Sequence, residues 1–162
     1  MFFFMDKDLL NYLADNRIKY AEYEHSAVFT VAESREVTSH IPGLRTKSLF
    51  LSDKDKKFYL VCLPSEDRLN IKALRNFLNV RNLEFGSPDE LYSELHVKPG
   101  SVSPLAIIHA KKTFLIISKK VWSADLIGVH PNINTSTLTL SHEELEKFCI
   151  SLKNKPLIFE SE

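Results

Sequence analysis

Two cysteines in 162 residues, Cys62 and Cys149, are too few and too far apart for a disulfide framework. No Cys-x-x-Cys or comparable ligand spacing occurs, so they read as buried small hydrophobes in a reducing compartment. Glycine is scarce as well, at four residues, and no low-complexity tract is present. That excludes collagen-like, linker and disordered classes. No run of about 18 apolar residues exists, so no membrane span is expected. Met1-Phe2-Phe3-Phe4-Met5 is apolar but too short for a secretory signal, and it lacks the basic flank and small-residue cleavage site. Cytosol is the expected location. A dominant charge sign is missing too: 21 Lys+Arg balance 21 Asp+Glu. Wholesale capture of duplex nucleic acid or anionic membrane is therefore excluded, while a local basic patch stays open. What is present suits one domain of ordinary size. With 44% hydrophobic residues, such a chain buries about two-thirds of its unfolded surface.

Local signals alternate between helix and strand. Asp6 caps a helix with Leu9, Leu10, Leu13 and Ala14 inward, ending near Asn16. Ile18 to Glu24 alternates like a short strand. Thr30-Val31-Ala32-Glu33 is a capping box for a helix that stops before the turn Pro42-Gly43. Lys47–Ser52 and Phe58–Leu63 form two β-rich runs around a polar hairpin connection. Asn70 precedes Ile71, Leu74, Phe77 and Leu78 at helical spacing. Val80 to Phe85 reads as a strand, and Ser87-Pro88-Asp89-Glu90 opens another helix. Leu105–His109 and Phe114–Ser118 read as strands, as do Leu126–Val129 and Thr135–Leu140. Ser141-His142-Glu143-Glu144 begins the last helix. Strands that come partly as hairpins predict a single α+β domain, a mixed and mostly antiparallel sheet flanked by helices, rather than strict βαβ winding.

Three segments hold residues that a plain scaffold does not obviously need. In Pro42-Gly43-Leu44-Arg45-Thr46-Lys47-Ser48-Leu49, a lysine opens a hydrophobic strand just after a turn. It is either a solvated edge gatekeeper or an ammonium projecting over the sheet end. In Lys98-Pro99-Gly100-Ser101-Val102-Ser103-Pro104, two prolines bracket a small-residue loop. Its amides suit a carbonyl oxygen or carboxylate, or the loop is simply a rigid turn. A Gly-x-Ser-x-Gly nucleophile elbow does not fit, because Pro104 replaces the last glycine. In His130-Pro131-Asn132-Ile133-Asn134-Thr135, an imidazole at a strand end faces a ligand or is a structural histidine. No histidine pair shows metal spacing and no glycine-rich phosphate loop occurs, so neither metal nor cofactor is expected.

In combination and order these segments resemble a known family. Glu24-His25-Ser26-Ala27-Val28-Phe29-Thr30-Val31, the turn-Lys47-Ser48-Leu49-Phe50-Leu51 strand, the Lys98–Pro104 loop and Val129-His130-Pro131-Asn132-x-Asn134-Thr135 are similar to the YbaK/prolyl-tRNA-synthetase-associated editing domain. The resemblance covers roughly residues 6–152. The His-Pro-Asn-x-Asn-Thr segment looks like the freestanding branch that deacylates Ala-tRNA(Pro). Two departures stand out. Arg45 and Ser48 replace the family's usual histidine and asparagine, and Ile108-His109-Ala110 replaces Ile-Asn-Asp.

The resemblance implies an aminoacyl-tRNA hydrolase acting on the acceptor end of tRNA(Pro), with prolyl-tRNA synthetase as a candidate partner, as a small cytosolic monomer without cofactor. Lys47 would hold a phosphate or ribose oxygen of the CCA end, or stabilise the oxyanion. Amides of Gly100 and Ser101 would orient the ester carbonyl, and His130 would position the aminoacyl group. Thr30, Val31, Arg45, Ser48, Leu49, Val102, Ser103, Pro104, Pro131, Asn134 and Thr135 would line the substrate. Val31, Leu49, Ile107 and Ile133 are candidate pocket walls or ordinary core, and Arg45, Lys98 and Lys111 candidate phosphate contacts. The rival reading is a non-catalytic module that senses tRNA. Within the enzyme class, a cysteine- or serine-directed deacylase competes, and a generic serine hydrolase ranks last.

Overall fold

Helix caps are satisfied by the nearest polar side chain throughout the chain, which a computed structural model describes over residues 5–160. Asp6 accepts the Asp8 amide and starts α1 (Lys7–Asp15), which buries Leu9 and Leu13. After β1 (Ala21–Glu24), Thr30 accepts the Glu33 amide and starts α2 (Val31–Val37). The other half of that capping box is displaced by one residue, since the Glu33 carboxylate accepts from Phe29 N–H at 3.1 Å. Then come β2 (Leu44–Ser52), β3 (Phe58–Pro64), α3 (Ile71–Leu78) capped by Asn70, β4 (Glu84–Phe85) and α4 (Pro88–Leu95) with a complete Ser87–Glu90 box. A 3-10 helix (Pro104–His109) leads to β5 (Thr113–Ser118), α5 (Lys119–Ser123), β6 (Leu126–Val129), β7 (Ser136–Ser141), α6 (His142–Ser151) and β8 (Leu157–Phe159).

The strands form one mixed sheet in the order β1-β7-β6-β2-β3-β5-β8, with β4 pairing β2. Antiparallel contacts join β1–β7, β6–β7, β2–β3 and β2–β4, whereas β2–β6, β3–β5 and β5–β8 are parallel. This is the expected α+β sheet. Every residue of β3 is buried, because layers cover both sides of the strand and alternate side chains enter opposite cores. Leu60 and Cys62 join Leu9, Leu95, Leu105, Ile117 and Phe148 in the larger core, under α1, α4, the 3-10 helix and α6. Tyr59 and Val61 join Leu51, Leu74, Ile116 and Phe159 in the smaller one. Both cysteines are free and buried, and burial pushes the Cys62 thiol up to about 11.

Two local expectations are corrected, and one strand is new. Leu105–His109 is a 3-10 helix, not a strand. Ser103 Oγ accepts the Leu105 amide at 3.0 Å, and Pro104 supplies a helical φ at the first position. The apolar run is inward because the helix packs under the sheet, so composition alone mimicked a strand. Val80–Phe85 shrinks to Glu84–Phe85, the two residues that reach Leu51 and Ser52 of β2. β8, three residues long, was not anticipated, being too short for a periodicity signal.

Candidate active site

The register of β2 places Lys47 where the sheet opens. Pairing with β6 covers Leu44–Ile127 and Arg45–Gly128, while pairing with β3 begins at Thr46–Pro64. Thr46 Oγ1 donates to the Gly128 carbonyl at 2.6 Å. Beyond that bond a cavity of about 190 Å³ lies between β2, the start of α2 and the loops after α4 and β6. Thr46, Lys47 and Ser48 form its floor, Val28 to Val31 and Ser34 one side, Ser65 an edge, and Gly100, Val102 and His130 the rest.

Loop-to-loop bonds hold this enclosure. Asn134 Nδ2 donates to the Val28 carbonyl at 3.1 Å, and the His25 amide donates to the Thr135 carbonyl at 3.0 Å. Gly100 adopts φ +91°, where an L side chain is strained. A Cβ there would also lie 3.4 Å from the Phe29 ring and 3.8 Å from Asn134 Nδ2. The backbone of the Gly100 loop thus approaches the 28–30 segment closely.

The electrostatics single out two groups. Lys47 makes no ion pair among the described residues. Glu66 feels its field, but that carboxyl is gripped by Arg35 at 2.6 Å, which with Arg45 and Lys47 holds it below the usual range. The Lys47 ammonium is therefore available to a ligand. His130 is held below the ordinary histidine range, first by burial and then by the neighbouring His25, against an opposing hydrogen bond to Ser136. Its Nδ1 lies 3.3 Å from the Ser136 carbonyl, which can only accept. Nδ1 carries the proton, leaving Nε2 an acceptor in the neutral ring.

A shifted His130 has a checkable consequence. Its imidazole resonances should titrate below about pH 6.5 in an NMR titration, whereas a midpoint at or above that value contradicts the burial argument. The sign for stability follows. As pH falls through about 6.5 the unfolded chain protonates first, so the stability held by the neutral ring is lost toward the lower, folded pKa.

The structure gathers Thr30, Val31, Lys47, Ser48, Gly100, Val102 and His130 around one cavity. Other candidates lie outside its wall. The Ser101 amide, expected to face an ester carbonyl, donates instead to the Lys98 carbonyl at 3.0 Å. Ser103 and Pro104 are buried as the cap and first residue of the 3-10 helix. Asn134 and Thr135 serve as the braces described above. Pro131 is buried, Leu49 pairs with Val61 one step beyond the floor, and Ile107 packs against the larger core. Ile133 too is absent from the wall. Arg45 is absent from the wall, its Nη1 donating to the Arg35 carbonyl at 3.1 Å. Sequence reasoning missed Val28, Phe29, Ser34, Thr46 and Ser65. Ser34 was accessible from its position one turn after Thr30; Ser65 had no signal.

The sequence pattern of the aminoacyl-tRNA editing domain matches residues 25–148, which include every wall of the cavity. The chain belongs to this family. Over 138 residues it is 30% identical to "Prolyl-tRNA editing protein ProX" of Acetoanaerobium sticklandii, covering 83% of this chain and 84% of that one. It is also 30% identical over 156 residues to "Prolyl-tRNA synthetase associated domain-containing protein 1" of Danio rerio, covering 94% and 85%. The crystal structure of a candidate trans-editing enzyme for prolyl-tRNA synthetase superposes on this editing domain with a TM-score of 0.75, covering 96% of each chain at 14% identity. That likeness shows the shared fold. Among the described residues, no helix is long and apolar enough to cross a membrane.

Proposed function

We propose that this editing domain hydrolyses the ester of mischarged tRNA(Pro), with Ala-tRNA(Pro) as the preferred substrate. The observation that carries the reading is an ammonium that no carboxylate pairs among the described residues, on the floor of a small half-open cavity, with the Gly100 loop and a neutral imidazole on its walls. The name of the bacterial relative supports the choice of tRNA(Pro).

Each group then has a chemical task. Lys47 supplies a compact positive charge to a phosphate or ribose oxygen of the CCA end, or to the oxyanion that forms as water attacks. His130 Nε2, an acceptor at neutral pH, receives a hydrogen bond from the α-ammonium of the aminoacyl group or from the attacking water. The Gly100 backbone closes on the ester without a side chain in the way. No serine nucleophile is needed, because the neighbouring ribose hydroxyl can align the water. Val31 and Val102 provide aliphatic wall.

Size sets the selectivity. Drug-sized ligands fill pockets of about 300–1,000 Å³, and the present cavity, about 190 Å³, is on the scale of a small aminoacyl group. A synthetase shaped for proline rejects alanine by only about 1–3 kcal/mol, since the difference is a few methylenes. A second site that excludes proline by volume supplies the rest. With radiolabelled alanine, cysteine, serine and proline on tRNA(Pro), alanine should be released at least about tenfold faster than proline. Release of none of the four, or of proline fastest, removes the proposal.

A further inference from the structure

Asp6 lies 19 residues ahead of the family's matched segment, yet its side chain reaches the loop after β6 and the end of the 3-10 helix that follows the Gly100 loop. Its two oxygens divide the work. Oδ1 caps α1 by accepting the Asp8 amide at 3.0 Å. Oδ2 accepts from His109 Nε2 at 2.6 Å and from Asn132 Nδ2 at 3.1 Å. His109 ends the 3-10 helix that begins right after the Gly100–Ser103 loop, and Asn132 follows His130 by two residues. One carboxylate oxygen therefore ties the loop after β6 to the helix that follows the Gly100 loop.

Three features indicate that the tie holds the loops under local cost. Asn132 has φ +64° and is 8% exposed, and its Oδ1 lacks a partner among the described residues. Such a residue persists where surrounding structure over-determines it. The His109 side chain is 8% exposed and is flanked by the His96 ring, with centroids 4.5 Å apart. Leu105 and Ala106 of the intervening helix are fully buried, so a displacement at His109 is carried along a rigid strut to Gly100. The cluster also includes the Asp8 carboxylate, but with Oδ2 engaged by two donors the pairing is complete without an ion. Burial alone would raise the Asp6 carboxyl; the bonds from His109 and Asn132 hold it below its ordinary value.

We propose that Asp6 is a positioning residue that clamps the Gly100 and His130 loops at their working separation, with His109 and Asn132 as its two grips. The kinetic consequence rests on the deacylase reading above; the mechanical one does not. Asp6→Asn separates the clamp from the cap, because the amide oxygen still accepts the Asp8 N–H while its NH2 group opposes two donors. Hydrogen exchange should quicken in residues 101–109 and 129–135 of Asp6→Asn, with β3 and α6 protected as before. On Ala-tRNA(Pro), kcat should fall about tenfold or more through misplacement of the reacting groups, while KM stays within about twofold. His109→Gln, which keeps a donor, should retain both properties, and His109→Phe should lose both. This second pair decides the matter if Asp6→Asn does not fold. Unchanged exchange in either segment, or looser loops with kcat intact, overturns the clamp. A wild type inactive on all four charged tRNAs sinks the deacylase reading instead, and exchange alone then decides whether the clamp exists.

Discussion

Lys47→Ala should lower the single-turnover rate of alanine release from Ala-tRNA(Pro) by about 100- to 1,000-fold, the usual loss when one donor to a developing oxyanion is removed. That corresponds to about 2.7–4 kcal/mol of transition-state stabilisation. The fold should survive, because Lys47 is only half-buried and no carboxylate is paired with it among the described residues. Removing it orphans no buried partner, so the melting temperature should move by no more than a surface substitution moves it. Lys47→Arg is the informative companion. It keeps the charge but replaces a compact ammonium with a broad planar fork that the small cavity accommodates poorly. A rate for Lys47→Ala within about threefold of wild type would remove Lys47 from the chemistry, since only a contact stronger in the transition state than in the ground state sets that rate.

The largest expected loss of stability comes from a residue far from the cavity. Glu94 is 6% exposed near the end of α4 and is paired with no cation among the described residues. Its Oε1 accepts the Lys111 amide at 2.8 Å, Thr113 Oγ1 at 3.0 Å and the Lys112 amide. These donors form the turn that delivers the chain into β5, whose register with β3 sets the centre of the sheet. Glu94→Ala leaves three donors without an acceptor, one of them on the buried Thr113. At about 1 kcal/mol for each, the total is about 3 kcal/mol, or about 6–12 °C in melting temperature for a domain of this size. Glu94→Gln keeps one acceptor oxygen and should recover part of that. A thermal melt checks both, and a shift below about 2 °C for Glu94→Ala would show that water replaces the carboxylate.

The parts of this molecule legible in its sequence are those set within a few residues. Asp6, Thr30, Asn70, Ser87 and Ser141 were read as helix starts and each accepts a backbone amide two or three residues on. The hairpin of β2 and β3 was legible for the same reason, its polar connection lying between two β-rich runs. Three of the segments that meet at the cavity stood out by their residues, and the resemblance added a fourth, Glu24–Val31, because motif order carries tertiary information that no single segment holds. It also overreached. Ser103 and Pro104 sit in the motif yet face the core, as a cap and a helix start, while neighbouring Val102 lines the cavity.

What the amino-acid order determined by itself was local: caps, turns, the buried β3 run, and a family pattern that names the class of chemistry. Tertiary structure alone decided that Leu105–His109 coils rather than extends, and that Phe29 and Ser65 face the same space as Lys47. It also brought Asp6 to His109 and Asn132, across separations of 103 and 126 residues. The physical reason is range. A cap or a turn is settled by bonds spanning three or four positions, whereas a cavity wall or a clamp exists only once burial of the two cores has brought distant segments into register.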